Sequence, residues 1–273
     1  MNEDFSVPVT HVSSRDNPLV KELRKLSESS TAYRKQRRVW LEGDHLCRAA
    51  LERVIQPVLA VFSESFWPLG QPVWGCAAIK NIVIADTLLP EISGLESPAP
   101  MGFVVDLPTE EPFQPDAASV ILDRVQDAGN VGSILRSAAA FGFGQIIALK
   151  GTAALWSPKV LRAGMGAHFA LRLVEGVEAD TLAELQVPIV VTSSHLGHFL
   201  HQLATENTLP MPCAWALGHE GQGVREDLMS QADLKVRIDQ PGGEESLNVA
   251  AADRKSTRLN SSHVLRSRMP SSA

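Results

Sequence analysis

Asp123-Arg124-Val125-Gln126-Asp127-Ala128-Gly129-Asn130-Val131-Gly132-Ser133-Ile134-Leu135-Arg136 lies between the apolar run 119–122 and an apolar-periodic run that continues to Phe141. An apolar run, a polar turn and a helical period in succession read as strand, turn and helix. Gly129 and Gly132 let another group approach the backbone, and Asn130 reads as the N-cap of the helix. Arg136 then falls about one and a half turns into that helix, a fixed cation near a sheet edge. An ordinary strand-to-helix turn carrying a surface arginine fits the same residues, so this stretch sets the local structure and leaves its use open.

Outward from it the pattern is regular. Apolar strand segments at 120–122, 146–149, 189–191, 214–217 and 236–238 are separated by helical stretches at 131–141, 158–164, 182–185 and 225–230. Strands apolar on both faces and alternating with helices predict a mostly parallel α/β sheet, whose ligands sit beyond the carboxyl ends of the strands. Residues 108–118, rich in proline and acid, read as a linker. Residues 1–107 read as a smaller α/β domain. It opens with a helix after Asn17-Pro18, apolar at Leu19, Val20, Leu23 and Leu26. Val39-Trp40-Leu41 follows, then a helix over 44–53 and apolar runs at 58–62, 73–77, 82–85 and 102–107. The last stretch, 253–273, is rich in serine and arginine and has no apolar period. It resembles translated sequencing-adaptor read-through and is set aside from the fold, with a basic RNA-binding arm as the other reading.

The chain has 273 residues, 44% of them hydrophobic, enough for two cores. No apolar run reaches the length of a membrane span, and MNEDFSVPVT lacks the basic and apolar regions of a signal peptide, so a cytoplasmic protein without membrane attachment is expected. Cys47, Cys76 and Cys213 are far apart and form no CxxC pair, which argues against a disulfide framework or a zinc site. His195, His198 and His201 have no cysteine or carboxylate in register, so no metal is expected there either.

The net charge is −6, and without the last 21 residues, with five basic and one acidic side chain, it is −10. Distribution matters more than the sum. Between Arg15 and Arg38 eight basic residues, Arg24, Arg34, Lys35, Arg37 and Arg38 among them, face only Asp16, Glu22 and Glu28. Such a patch can follow a phosphate backbone or simply be a solvated helix face. The same two readings apply to Lys159 and Arg162.

Two further segments carry polar chemistry. Leu217-Gly218-His219-Glu220-Gly221-Gln222-Gly223 follows a strand and can wrap a flat ligand with backbone groups. Its G-x-x-G-x-G spacing is not the dinucleotide fingerprint, and the Gly-Lys-Ser/Thr of a P-loop is missing. Near the end, Pro241-Gly242-Gly243 turns into Glu244-Glu245-Ser246-Leu247-Asn248-Val249-Ala250, a helix start with Asn248 projecting from its first turn.

In this order the three segments resemble the SpoU/TrmH-type RNA ribose 2′-O-methyltransferases of the SPOUT superfamily. The match comprises Asn130-Val131-Gly132-Ser133-Ile134-Leu135-Arg136, then Leu217 to Gly223, then Glu245-Ser246-Leu247-Asn248-Val249-Ala250. It covers 119–252, a SPOUT domain short of its final helix. Residues 1–107, with Leu41-Glu42-Gly43, resemble the ribosomal-protein L30e-like substrate-binding domain of these enzymes. The resemblance implies a trefoil knot, a homodimer, and S-adenosylmethionine bound among the knotted loops at Thr192, Gly197, Leu217, Gly218, Ile238, Gln240, Ser246 and Leu247. It makes Asn130, Arg136, Glu220 and Asn248 the catalytic and substrate-site residues. RNA is the implied partner, ribosomal RNA ahead of tRNA. A tRNA ribose methyltransferase, a non-catalytic RNA-binding protein of the same fold and an unrelated nucleotide-binding enzyme are the alternatives.

Overall fold

The computed structural model describes residues 7–239. In chain order it contains β1 (Val9–Val12), α1 (Pro18–Glu28), α2 (Ala32–Gln36), β2 (Arg38–Glu42), α3 (Asp44–Glu52), β3 (Leu59–Ser63), α4 (Trp67–Trp74), β4 (Lys80–Ile84), α5 (Leu89–Ile92) and β5 (Met101–Asp106). There follow β6 (Ser119–Asp123), α6 (Ala128–Ala140), β7 (Gln145–Leu149), α7 (Pro158–Gly164), β8 (Arg172–Val177), β9 (Ile189–Thr192), β10 (His198–Phe199), α8 (Leu200–Glu206), β11 (Ala214–Gly218), α9 (Glu226–Gln231) and β12 (Leu234–Arg237). The described residues divide into two compact units, 7–109 with 156–169, and 110–155 with 170–239.

The first unit is built on a mixed sheet, β1-β4-β3-β5-β2, with β2 and β3 antiparallel to β5. Asn17 caps α1 by accepting the Leu19 N–H at 2.9 Å, and Pro18 occupies the first turn, where its missing N–H costs nothing. Val20, Leu23 and Leu26 form the buried stripe of α1 at helical spacing. The apolar run at 73–77 is the end of α4 and the turn after it. There Trp74 is buried and Val73 is 68% exposed, so the apolar residues belong to a helix with one open side. The helix α7 packs on α1 and β2, although it is more than a hundred residues downstream. Gly166 makes that closure possible, because a Cβ there would lie 2.4 Å from the Ala49 Cβ.

The second unit is a seven-stranded sheet, β10-β12-β9-β11-β6-β7-β8, with every pairing parallel among the described residues. Alternate strand residues Ile121, Ile147, Leu149, Ile189, Val191, Ala214 and Ala216 bury one face together with Leu182, Val224 and Leu228. Val120, Leu122, Ile146, Val190 and Trp215 alternate with them and are also buried, as a sheet covered on both faces requires. Residues 110–118, read as linker, are pinned to this unit. Phe113 enters its core, and the Gln145 side chain both accepts from the Gln114 N–H (2.8 Å) and donates to the Gln114 carbonyl (2.7 Å). A buried apolar anchor and a satisfied amide outweigh the prolines in deciding order there.

Candidate active site

Parallel registry puts chemistry at one edge. Asp123 on β6 is opposite Gly218 on β11, Ala216 on β11 is opposite Val191 on β9, and Thr192 on β9 is opposite Val236 on β12. The carboxyl ends of four adjacent strands therefore lie in a row, and the polar segments leave from them.

Asp127 caps α6, not Asn130. Its carboxylate accepts the Asn130 N–H at 2.7 Å, and the helix begins at Ala128 with Asn130 already inside its first turn. Both residue types cap helices well, and the acid three residues earlier takes the role. The Asn130 side chain is thereby turned outward, and its amide Nδ2 donates to Glu220 Oε1 at 3.2 Å. Glu220 also accepts the N–H groups of Gln126 (3.3 Å) and Asp127 (3.2 Å), so one carboxylate joins the entrance of α6 to the loop after β11. Desolvation, the largest influence on Glu220, raises its pKa, but hydrogen bonds from its own backbone, Asn130, Asp127 and Gln126 outweigh this and hold the carboxyl below its ordinary value of 4.5. Its stabilising contribution is therefore present above about 4.5 and lost as the pH falls through the lower folded value. Amide exchange at Gln126 and Asp127, whose N–H groups donate to Glu220, is expected to stay constant above about 4.5, after correction for intrinsic rates, and to accelerate as the pH falls further. Glu220→Gln should remove this acid step.

The loop itself is closed on its own backbone. His219 N–H donates to the Gly223 carbonyl (3.1 Å) and Gly223 N–H to the His219 carbonyl (2.8 Å). His219 Nδ1 accepts from the N–H groups of Gly221 (3.0 Å) and Gln222 (3.3 Å). A Cβ on Gly218 would sit 2.2 Å from the Gly223 carbonyl carbon, so that glycine serves loop closure. Gly218→Ala is expected to destabilise the protein by about 1–3 kcal/mol, measured by urea unfolding, because backbone rather than a flexible side chain must yield.

The neighbouring loop after β9 is as tightly fitted. The Thr192 hydroxyl donates to the Ala216 carbonyl (3.0 Å), and Ser193 Oγ accepts from the N–H groups of His195 and Leu196. Gly197, at φ +98°, leaves no room for a Cβ, which would lie 2.1 Å from the Lys235 carbonyl oxygen. Of the sequence-proposed cofactor residues, the structure puts Thr192, Leu217, Gly218 and Ile238 at the carboxyl ends of β9, β11 and β12, and Gly197 just before β10, beside Lys235 of β12. Gln240, Ser246, Leu247 and Asn248 lie outside the described residues.

Arg136 is exposed on α6. Asn130, Ser133 and Arg136 follow each other at i, i+3 spacing along the side of α6 that is not fully buried. Six residues of helix separate the Asn130 and Arg136 backbones by roughly 9 Å, so Glu220 engages Asn130 rather than Arg136.

The proposed RNA-contacting residues all belong to the first unit, Lys159 and Arg162 included, because α7 does. Several are committed internally. Arg24 pairs with Glu91 and donates to its carbonyl (3.2 Å), while Arg38 pairs with Asp106 (3.1 Å) and Glu22 (3.6 Å). Arg37 donates to the Pro108 carbonyl (3.2 Å), and the Arg34 guanidinium lies 5.5 Å from the Tyr33 ring centroid. Lys35 and Lys159 are exposed, and Arg162 is half-buried beside Gly94.

Sequence reasoning missed Asp123, the buried carboxylate at the end of β6. Its Oδ1 accepts from Arg225 Nε (2.7 Å) and Arg124 Nε (3.0 Å), and its Oδ2 accepts from the Arg225 N–H (2.7 Å) and Arg124 Nη2 (3.2 Å). An acid ending an otherwise apolar strand was the available signal.

The family model described as the SpoU rRNA Methylase family matches residues 117–254, which span this row of strand ends and both motif loops. The chain belongs to the SpoU rRNA Methylase family. A 23S rRNA (guanosine(2553)-2′-O)-methyltransferase, RlmP, of Bacillus subtilis is 29% identical over 245 residues, which is 88% of this chain and 95% of that protein. A solved RNA 2′-O ribose methyltransferase superposes with a TM-score of 0.76 at 28% identity, covering 94% of this SpoU-family chain and 100% of its own. An rRNA methyltransferase from Sinorhizobium meliloti solved with AdoMet gives a TM-score of 0.80 at 24% identity, over 94% and 98% of the two chains, and so shares the fold.

Proposed function

We propose that this chain methylates a ribose 2′-hydroxyl of ribosomal RNA with S-adenosylmethionine as the methyl donor. As a SpoU-family protein with SPOUT-like architecture it is an RNA methyltransferase. The observation that carries the reading is the Glu220 carboxylate bridging Asn130 and the α6 entrance, because it joins two of the family's motifs into one preorganised edge. The donor set fits S-adenosylmethionine. Loop backbone leaves from three adjacent strand ends at Thr192, Gly218 and Ile238, and backbone N–H and C=O groups suit an adenine and an amino-acid end.

S-adenosylmethionine supplies an activated, electrophilic methyl group, so the protein's work is alignment and handling of the hydroxyl proton. Asn130, fixed by Glu220, orients the ribose side of the site. Arg136 clamps the target phosphate bidentately and stabilises charge developing on the 2′-oxygen, while the proton passes to water or a neighbouring group. Asn248 adds a hydrogen bond to the hydroxyl, and Gln240, Ser246 and Leu247 contribute to the cofactor loops.

The first unit is an L30e-like RNA platform in this reading, with Lys35, Lys159 and Arg162 as its more available cations. The protein acts in the cytosol as a homodimer, and the second unit is knotted. Among the described residues no helix is long and apolar enough to cross a membrane.

Transfer of tritiated methyl to ribosomal RNA and tRNA transcripts tests the activity. Label in ribosomal RNA within alkali-resistant dinucleotides is expected. Label confined to tRNA would overturn the substrate, and RNA binding without transfer or cofactor binding would favour the non-catalytic alternative. Light scattering of the purified protein tests the dimer, and a monomer fully active at nanomolar concentration would remove it.

A further inference from the structure

Arg124 is the first residue after β6 and has left-handed backbone, φ +59°, a conformation disfavoured for a side chain of this kind. Neighbouring groups hold it there. Its N–H donates to Thr152 Oγ1 at 3.1 Å, and the Thr152 hydroxyl donates to the Leu122 carbonyl at 2.9 Å. The left-handed turn sends the guanidinium sideways. It grips Asp123 through Nε and Nη2, and reaches the loop after β11 with Nη1 on Gln222 Oε1 (3.1 Å) and Nη2 by the Gly223 carbonyl (3.5 Å). Gln222 and Gly223 lie two and three residues after Glu220 in the loop that His219 and Gly218 keep closed.

We infer that Arg124 is a positioning residue that sets the loop carrying Glu220 against the start of α6. The inference rests on the methyltransferase reading for its consequence in catalysis, while its structural content stands apart from it. The chemistry suits arginine alone. Its Nε and Nη2 take the carboxylate while Nη1 takes the amide oxygen, a spread over three nitrogens that lysine, whose three donors share one nitrogen, cannot reproduce. Asp123 anchors the fork on the strand side, so Arg124 transmits the position of β6 to Gln222. Arg225, bound to the same carboxylate, fixes the far end of the loop.

Amide exchange and methylation, measured on the full chain, separate the possibilities. Arg124→Asn relieves the left-handed backbone, since asparagine tolerates it. It should leave exchange in β6 and β11 unchanged while raising it about tenfold at Gly221, Gln222 and Gly223. Gln222→Ala, on an exposed loop residue, should raise exchange at the same amides by a smaller factor. The double variant should match Arg124→Asn, because two groups that act through one contact are not additive. Methylation by Arg124→Asn should fall by about tenfold without a matching rise in KM for RNA, and Arg124→Lys should restore little of it. Unchanged loop exchange in Arg124→Asn, or a double variant whose effects multiply, would overturn the proposal. If Arg124→Asn fails to fold, Gln222→Ala with parental exchange overturns it alone. An inactive parent protein with the expected exchange pattern would sink the methyltransferase reading and leave the positioning role intact.

Discussion

Arg136→Ala is expected to lower single-turnover RNA methylation about 10²–10³-fold, the range seen when a preorganised donor to developing negative charge is removed. The melting temperature should stay within about 1 °C, because surface substitutions away from packed features cost little. Arg136 is exposed, and no hydrogen bond or ion pair holds it among the described residues. Loss of activity without loss of stability is therefore the signature of a group that works on the substrate. Arginine deprotonates only above about pH 12, so a role as resting general base at neutral pH is disfavoured. Arg136→Lys keeps the charge and loses the fork, and should recover only a part of the rate. Full activity in that variant would refute the bidentate clamp.

Asp123→Ala should produce the largest loss of stability, about 3 kcal/mol by urea unfolding. Breaking a buried ion pair from one side usually costs about 3–5 kcal/mol, since the remaining charge is left without a partner. The lower end applies because the Arg124 and Arg225 side chains are 28% and 26% exposed and can recover water, whereas the Asp123 side chain is 0% exposed. Burial, the strongest influence on this carboxyl, raises its pKa. Hydrogen bonds from Arg124, the Arg225 N–H and the Arg225 side chain reverse that and keep it below its ordinary value of 3.8. A lowered folded value means stabilisation present above 3.8 and lost as acid protonates the group. The stability difference between Asp123→Ala and the parent should therefore shrink below that pH, and a difference that persists unchanged in acid would sink the ionic account.

Much of the second unit was legible because buried parallel strands leave continuous apolar runs. Residues 146–149, 189–191 and 214–217 all lie inside observed strands. By contrast, β8 (Arg-Leu-Val-Glu-Gly-Val) has an edge position and no fully buried residue, so its run is broken by charge and by Gly176. The two-residue β10 is too short to have a period, and only its pairing with Val236 and Arg237 defines it. At the site, Asn130 and Glu220 were visible as polar residues in apolar or glycine-rich surroundings. That Glu220 orients either Asn130 or Arg136 could be read from the motifs, but the choice of Asn130 could not, because it depends on β6 and β11 being neighbours in the sheet. The capping role went to Asp127 for a similar reason. Two good cap formers stood three residues apart, and local preference alone did not choose between them.

The placement of 156–169 within the first unit bears on how the chain folds as it is made. Domains generally fold as units during synthesis, the N-terminal one first. Here the N-terminal unit lacks α7 until residue 169 has left the ribosome, by which time β6, α6 and β7 have also emerged. Its completion is therefore delayed by about sixty residues beyond the apparent boundary at 109, roughly 3–12 s at about 5–20 residues per second. For the same reason a gene fragment ending at codon 109 encodes an unfinished unit, and fusion partners or split reporters inserted between 156 and 169 would interrupt the first unit rather than the second.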